Sequence, residues 1–137
     1  MKYLGLDLGS RTCGVAISDP LGMLARTYTT IRFRDDDYNY AANEVKKICE
    51  KEGVTEIVLG LPKHMNGAQG IRAQISYDFK ALLENDGKLH VTLLDERLTT
   101  VVVDRAMIEG NLSREKRHQK KDELAAVVIL EDYLNRK

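Results

Sequence analysis

The sequence is poor in aromatic residues and carries no net charge. It has no tryptophan and only two phenylalanines, and aromatic residues make up 6% of its 137 residues. Because these aromatics are scattered, they do not predict a platform on which successive nucleic-acid bases could stack. Lys and Arg together number 21, as do Asp and Glu, so the formal net charge is zero. Any affinity for a charged polymer must therefore depend on where the charges lie.

Cysteine is also scarce, and long apolar runs are absent. Cys13 and Cys49 match neither a metal-binding spacing nor a redox pair, so we expect two reduced, partly buried thiols in the cytoplasm. No apolar run approaches the ~20 residues that a membrane-spanning helix needs. Met1 leads almost directly into a strand-like segment, so we expect no signal peptide and no membrane partner. The length and composition predict one globular domain, residues 1–137.

The pattern of apolar and polar residues predicts an α/β fold. Three strand-like segments, 3–8, 13–18 and 24–33, are joined by short connections, which favours antiparallel hairpins. The apolar segments 56–61 and 90–94 are typical of buried parallel strands. Right-handed crossovers then give a mixed five-stranded sheet, three antiparallel strands followed by two parallel ones, flanked by helices.

Apolar residues at helical spacing predict the helices between and after these strands. They are Ala41, Val45 and Ile48 before Gly53, then Ile71, Ile75, Phe79 and Leu82 or Leu83, then Val103, Ala106, Met107 and Ile108 after a cap at Thr99 or Thr100, and last the apolar run 124–130 after a cap at Ser113.

Acidic residues stand at two strand positions where they are unexpected. Asp7 lies in an apolar strand between Leu6 and Leu8, where a carboxylate is costly unless it is paired or bound to a cation. A turn at the end of a strand is the alternative interpretation. Asp95 and Glu96 follow a buried strand, the usual place for functional groups in open α/β sheets. Neighbouring strand residues point to opposite faces, so one of the two acids can face a site while the other does not.

Asp122 opens the apolar part of the last helix. Ala125, Ala126 and Ile129 share its face, and such a face packs closely on a sheet, which would carry the carboxylate towards the strand ends. An acid that is merely favourable near a helix start is the alternative. Together, acids from the first strand, a later parallel strand and this helix can converge to hold hard cations through oxygen ligands. The histidines, His64, His90 and His118, are scattered and predict surface residues rather than ligands.

Basic residues come directly before Asp122. Residues 114–121 contain five Lys or Arg and one Glu, which describes either a solvated helix face or an edge that grips phosphates. The loop after the fourth strand adds further basic and polar groups. The candidate nucleic-acid-binding residues are Arg11, Thr12, Lys63, Asn66, Arg72, Arg97, Arg114, Lys116, Arg117, Lys120 and Lys121.

Four segments, in order along the chain, resemble the YqgF (RuvX) family, a branch of the RNase H-like superfamily related to Holliday-junction resolvases. They are 4–19, which contains Asp-Leu-Gly-Ser-Arg-Thr, Gly-Leu-Pro-Lys-His-Met-Asn-Gly at 60–67, Asp-Glu-Arg-Leu-Thr-Thr at 95–100, and Lys-Asp-Glu-Leu-Ala-Ala at 121–126. The resemblance implies an RNase H-like fold and an endonuclease, a hydrolase that depends on Mg²⁺ or Mn²⁺ and binds two ions. The acidic residues of the family fall on Asp7, Glu96 and Asp122, and either Asp95 or Glu96 faces the metals.

Members of this family are described both as nucleases that mature the 5′ end of pre-16S rRNA and as Holliday-junction resolvases. Cleavage of structured precursor rRNA is the leading hypothesis. Symmetric cleavage of a four-way DNA junction is the alternative and needs two active sites, hence a homodimer rather than a monomer. A non-catalytic RNA-binding module and an actin-like nucleotide binder are more remote. The latter would need two such domains and a second phosphate loop, which this chain lacks.

Overall fold

Five strands and three helices make up the part of the chain that the structure describes. The computed structural model describes the backbone of residues 1–61, 67–95 and 114–136, and their side chains except at 67–69, 72, 95 and 114–123. The strands are β1 (Tyr3–Leu8), β2 (Thr12–Ser18), β3 (Ala25–Arg32), β4 (Glu56–Leu61) and β5 (His90–Asp95). The helices are α1 (Tyr38–Glu52), α2 (Gly67–Glu84) and α3 (Arg114–Arg136). The helix predicted after Thr99 or Thr100 and the cap at Ser113 lie outside the described residues.

The strands form one mixed sheet in the order β3-β2-β1-β4-β5. β2 is antiparallel to both β1 and β3, whereas β1, β4 and β5 are mutually parallel. The predicted fold class is therefore confirmed. We call the edge at which β1, β4 and β5 end the carboxyl edge of the sheet, because functional groups of such sheets collect there.

One face of the sheet packs against α1 and α2. Leu4, Leu6 and Leu8 alternate along β1 and are buried with Val45 of α1 and Phe79 of α2. α1 begins at the cap Asp37, whose side chain accepts a hydrogen bond from the Tyr40 backbone, and ends at Gly53, as predicted. Gly53 adopts the left-handed conformation, with φ of 71°, that a helix end often requires.

The predicted apolar face of α2 is wrong at one position. Ile71 is 65% exposed, whereas Ser76, Phe79 and Leu83 are buried. At 3.6 residues per turn, Ile71 lies about 80° round the helix from Phe79, on the side away from Ser76 and Leu83. The buried face is therefore shifted towards Ser76 and Leu83, which leaves Ile71 at its rim.

The other face of the sheet is covered by α3. Tyr3, Val58 and Leu94 of the sheet pack against Ala126 and Leu130 of the helix. A Cβ atom at Gly5 would lie 2.7 Å from the Leu130 Cβ and 2.9 Å from the Ala126 carbonyl oxygen. The helix backbone thus rests directly on β1, a close approach that glycine permits. The close packing predicted for the face with Ala126 is confirmed.

Both cysteines lie in the interior of the molecule, more deeply buried than predicted. Cys13 and Cys49 are both buried and form no disulfide. Burial raises the pKa of the Cys49 thiol to about 12. Within residues 1–61, 67–95 and 114–136, no helix combines the length and apolar character needed to cross a membrane.

Candidate active site at the carboxyl edge

Asp7 is the penultimate residue of β1 and lies at the carboxyl edge. It is half-buried between Leu6 and Leu8, which are 0% and 8% exposed. Because strand residues alternate, Asp7 shares the face of Tyr3 and Gly5, which is the face covered by α3. The residue directly opposite on β2 is Gly14, which has no side chain. The sequence folds here into a rigid central strand that presents an acid towards α3.

The helix α3 runs antiparallel to β1 along this face. The Tyr3 and Tyr133 rings lie 5.7 Å apart, and the next residue of β1 on this face, Gly5, contacts Leu130 and the Ala126 carbonyl. Two residues of a strand advance by about 6.6 Å and four residues of a helix by about 6 Å. Following both backbones one step further leads from Gly5 to Asp7 on the strand and from Ala126 to residue 122 on the helix.

Asp95 is the last residue of β5 and pairs with Leu61 at the carboxyl edge. Before it, Leu93 packs against the α1 and α2 face, whereas Leu94 is buried on the α3 face with Ala126. β4 alone separates β5 from β1. The sheet thus brings the ends of β1 and β5 within two strand spacings, about 10 Å.

The described side chains contain one of the predicted metal ligands, that of Asp7. Glu96 lies outside the described residues, and only the backbone is described at Asp95 and Asp122. Among the side chains that are described, no three His, Cys, Asp or Glu residues form a group able to hold a metal ion. His90, predicted to be a surface residue, is exposed, and its Nδ1 lies 2.9 Å from Glu56 Oε2.

Arg11 lies in the turn that follows β1, and Thr12 is the first residue of β2. The Arg11 guanidinium binds the Asp35 carboxylate through Nε and through Nη2, the latter at 3.2 Å. This hydrogen bond raises the pKa of Arg11 and lowers that of Asp35. The Thr12 carbonyl accepts a hydrogen bond from the Gly9 backbone at 2.7 Å, which tightens the turn. Arg11 is therefore already paired, and binding a phosphate would compete with Asp35.

The other predicted nucleic-acid-binding residues belong to α2, to α3 or to parts of the chain that are not described. Because α3 runs antiparallel to β1, its first eight residues extend past residue 122 and beyond the carboxyl edge, over about 12 Å. Arg114, Lys116, Arg117, Lys120 and Lys121 occupy this backbone, and Arg72 lies in the second turn of α2. Lys63, Asn66 and Arg97 lie outside the described residues.

One group of basic and aromatic residues was not predicted from the sequence as a candidate site. Arg32, Phe33 and Arg34 leave the end of β3 and, together with Asp37 and Tyr40, line a cavity of about 390 Å³. The alternation Arg-Phe-Arg at a strand end was the available signal, but Tyr40 joins it only through the fold.

Comparison with known proteins identifies relatives over the whole length. The RuvX family, described as Holliday junction resolvase, matches residues 1–136. A Clostridium botulinum (strain Hall) protein named "Putative pre-16S rRNA nuclease" is 47% identical over 98% of this chain and 97% of its own length. A Clostridium acetobutylicum protein of the same name is 44% identical over 98% of each chain.

Solved structures share the fold at low sequence identity. RuvC of Thermus thermophilus, in complex with a Holliday junction substrate, superposes with a TM-score of 0.63 at 12% identity, covering 99% of this chain and 94% of that one. The fowlpox virus resolvase, in complex with Holliday junction DNA, gives 0.60 at 12% identity, covering 99% and 98%. The fold is therefore that of RNase H-like resolvases. With the match over residues 1–136 and relatives of up to 47% identity, this chain belongs to the RuvX family.

Proposed function

We propose that the protein is a metal-dependent endonuclease that cleaves phosphodiester bonds in precursor 16S rRNA. The antiparallel register of α3 on β1 is the observation that carries this proposal, because it leads from the Gly5 contact to Asp7 and residue 122 together. The relatives named for pre-16S rRNA support the choice of substrate, since they match over nearly the whole chain.

The alternation of β5 supports Glu96 over Asp95 as the third acid. Leu94 faces α3, as does Asp7, and Leu93 faces α1 and α2. If β5 continues in the same pleat, residue 95 belongs to the face of Leu93 and residue 96 to the face of Asp7. Asp7, Glu96 and Asp122 would then approach one point at the carboxyl edge from two strands and a helix.

The chemistry of these donors fits a hard divalent cation. All three are carboxylates, and oxygen ligands are those that Mg²⁺ and Mn²⁺ prefer. Asp7 sits on a central strand of the sheet with buried neighbours on both sides, so its position is fixed before any ion arrives. Bound in this place, Mg²⁺ or Mn²⁺ would supply the Lewis acidity for hydrolysis of a phosphodiester.

The remaining residues position the nucleic acid. The basic first turns of α3 extend past the carboxyl edge, where they would bind phosphates on one side of the cut bond. Arg11 can exchange Asp35 for a phosphate, because both side chains are exposed, at 73% and 63%. Such contacts bind the phosphate backbone of the nucleic acid and do not distinguish its bases. The substrate would therefore be selected by its shape and by the course of its strands.

Resolution of four-way DNA junctions is the second candidate function. The description of the RuvX family favours it, and so does the likeness to two resolvase folds. It requires a two-fold dimer with two sites. Pairing of two β3 edge strands centred on Thr29 would set Arg26 of one copy against Arg32 of the other, which disfavours a dimer through this edge.

The proposal is tested by cleavage assays on pre-16S rRNA and on a four-way DNA junction, with Mg²⁺ or Mn²⁺. Wild type should cut the rRNA precursor, and Asp7→Asn should reduce the rate at least 100-fold without altering the thermal midpoint. Asp78→Asn, the same change at an exposed residue of α2, should cut normally. Equal cleavage by Asp7→Asn and wild type would refute the site, and cleavage of the junction alone would favour the second candidate.

A further inference from the structure

A cavity of about 390 Å³ opens where β3 ends, and its lining combines two arginines and two aromatic residues with one acid, Asp37. Arg32 is the last residue of β3, and Tyr40 lies in the first turn of α1. The volume falls within the ~300–1,000 Å³ that is typical of small-ligand sites. The cavity is therefore large enough to hold one nucleotide of a longer strand.

The arginines of the cavity are exposed, and each of the three acids at 35–37 forms another hydrogen bond, although Asp37 also lines the cavity. Asp35 binds Arg11, and Asp36 Oδ1 accepts the Tyr38 hydroxyl at 3.0 Å. Asp37 caps α1 by accepting the Tyr40 backbone N–H at 3.3 Å, which leaves its charge at the positive end of a helix.

Within the described part of the chain, neither Arg32 nor Arg34 forms an ion pair. Two unpaired guanidinium groups at one opening favour a phosphate, whose oxygens match their planar donors.

The aromatic residues of the cavity differ in exposure. Phe33 is half-buried and packs edge-on against Tyr38, at 5.9 Å between centroids, and Tyr38 packs in turn against buried Phe79. Tyr40, by contrast, is 47% exposed. A flat ring that is exposed beside two arginines suits a base stacked on the ring with its phosphate on the arginines. Such stacking requires an unpaired base, so a single-stranded segment fits better than a duplex.

The cavity lies at the same edge of the sheet as Asp7. Arg32 pairs with Thr12, and the Phe33 backbone donates to the Arg11 carbonyl at 2.9 Å. Asp7, Gly14 and Thr30 form one row across three strands, and Arg32 stands two residues beyond it on the same face. Two strand spacings and two residues of rise place Arg32 about 12 Å from Asp7. Phe33 and Tyr40 lie on the side of α1, so a strand that passes round this edge of the sheet would place in the cavity a nucleotide that flanks the bond cut at Asp7.

We propose that the cavity formed by Arg32, Phe33, Arg34 and Tyr40 binds an unpaired nucleotide of the substrate, its base on Tyr40 and its phosphate on the two arginines. The inference rests on the proposed nuclease function for the role of the cavity, although binding itself does not depend on cleavage. The ligand is a single-stranded nucleic-acid segment next to the scissile bond. RNA and DNA segments share the recognised chemistry, which is a base with its 5′ or 3′ phosphate.

Binding of labelled single-stranded oligonucleotides, measured by fluorescence anisotropy without divalent ions, tests the inference. Tyr40→Leu should weaken binding roughly 5- to 150-fold, the range found for loss of one base stack. Tyr77→Leu is the matched control, because Tyr77 is 48% exposed on α2, and it should bind as wild type does. Oligouridine and oligothymidine arms show whether RNA or DNA is preferred, and a blunt duplex should be insensitive to Tyr40→Leu.

The arginines are tested by salt dependence. Replacing Arg32 and Arg34 by Gln removes the contacts to one phosphate, so the slope of log affinity against log salt should become shallower by about 0.7. Arg26→Gln, at the opposite end of β3, should leave the slope unchanged. Because all these side chains are exposed or half-buried, we expect the variants to fold, and a thermal melt of each variant checks this. If Tyr40→Leu does not fold, the arginine variants still test the inference.

Wild-type affinity and slope in both the Tyr40 and the arginine variants would overturn the inference, even if Asp7→Asn abolishes cleavage. Loss of oligonucleotide binding in these variants, in a protein that cuts neither rRNA nor junction, would support the nucleotide site and refute the proposed nuclease function.

Discussion

Gly5→Ala should separate α3 from β1 and thereby move one of the proposed metal ligands. The new Cβ would lie 2.7 Å from the Leu130 Cβ, whereas carbon atoms in contact are normally 3.5–4.0 Å apart. The second neighbour, the Ala126 carbonyl at 2.9 Å, belongs to the helix backbone and cannot rotate away. The helix must therefore retreat by about 1 Å. Overpacking of this kind costs about 1–3 kcal/mol of unfolding free energy.

This displacement has two measurable consequences. The first is a lower Tm. The unfolding entropy is about 2.1 cal/mol/K per residue over the 137 residues, so a loss of about 1–3 kcal/mol in unfolding free energy lowers the Tm by about 3–10 °C. A shift of about 1 Å in a catalytic group can reduce turnover about 100-fold, so cleavage should fall by that factor in protein that is still folded at the assay temperature. Calorimetry and single-turnover cleavage measure the two effects separately.

Gly70→Ala is the matched control for Gly5→Ala. No atom of the described residues lies within 4 Å of a Cβ at Gly70, which is inside α2, so alanine should raise the unfolding free energy by about 0.5–1 kcal/mol. A Gly5→Ala protein with the Tm and the cleavage rate of wild type would refute both the tight packing and its link to the active site.

Two further predictions concern groups away from the proposed site. Burial raises the pKa of Cys49 to about 12, and Cys13 is also buried. A thiol reagent at pH 8 should therefore modify neither cysteine until the protein is unfolded. Fast modification of the native protein would contradict this burial. The pKa of Asp19 is lowered from 3.8 by hydrogen bonds from the Leu24 and then the Met23 backbone, so its stabilising effect is present above pH 4 and is lost as the pH falls through the lowered value. Urea unfolding of wild type and Asp19→Ala should therefore differ at pH 7 and converge at low pH, whereas a constant difference would refute the role of the Asp19 charge.

Local patterns were sufficient to predict most of the fold. The short connections at 9–11 and 19–24 predicted hairpins. Gly53 predicted the end of α1, where the backbone adopts the left-handed conformation. The position of Asp7 in an apolar strand indicated a functional carboxylate, because a strand is an unfavourable place for a solvated charge. Each of these signals is contained in a few neighbouring residues, so a single sequence can reveal it.

Properties that depend on packing between distant segments could not be predicted. The exposure of Ile71 follows from how far α2 is rotated against the sheet, which its own periodicity does not determine. The space beside Gly5 is filled by the backbone of α3, a segment more than 120 residues further along the chain. The preference for Glu96 over Asp95 likewise required knowing that Leu94 faces α3.

The cavity at the end of β3 illustrates the same limit. Its arginines and Phe33 are close in sequence, but Tyr40 reaches them only because α1 starts beside the end of β3. The pairing of Asp35 with Arg11 could not be predicted from the sequence either. This pairing determines which arginines can bind a phosphate without first losing an acidic partner.

Manganese binding by calorimetry is the measurement that tests the central claim most directly. Wild type and Asp78→Asn should bind Mn²⁺ with equal affinity, whereas Asp7→Asn should lose at least tenfold in affinity with an unchanged Tm in the absence of metal, because the ion would lose one of its carboxylate ligands. Unchanged Mn²⁺ affinity in a folded Asp7→Asn protein would contradict the account, since Asp7 could then not be a ligand of the metal.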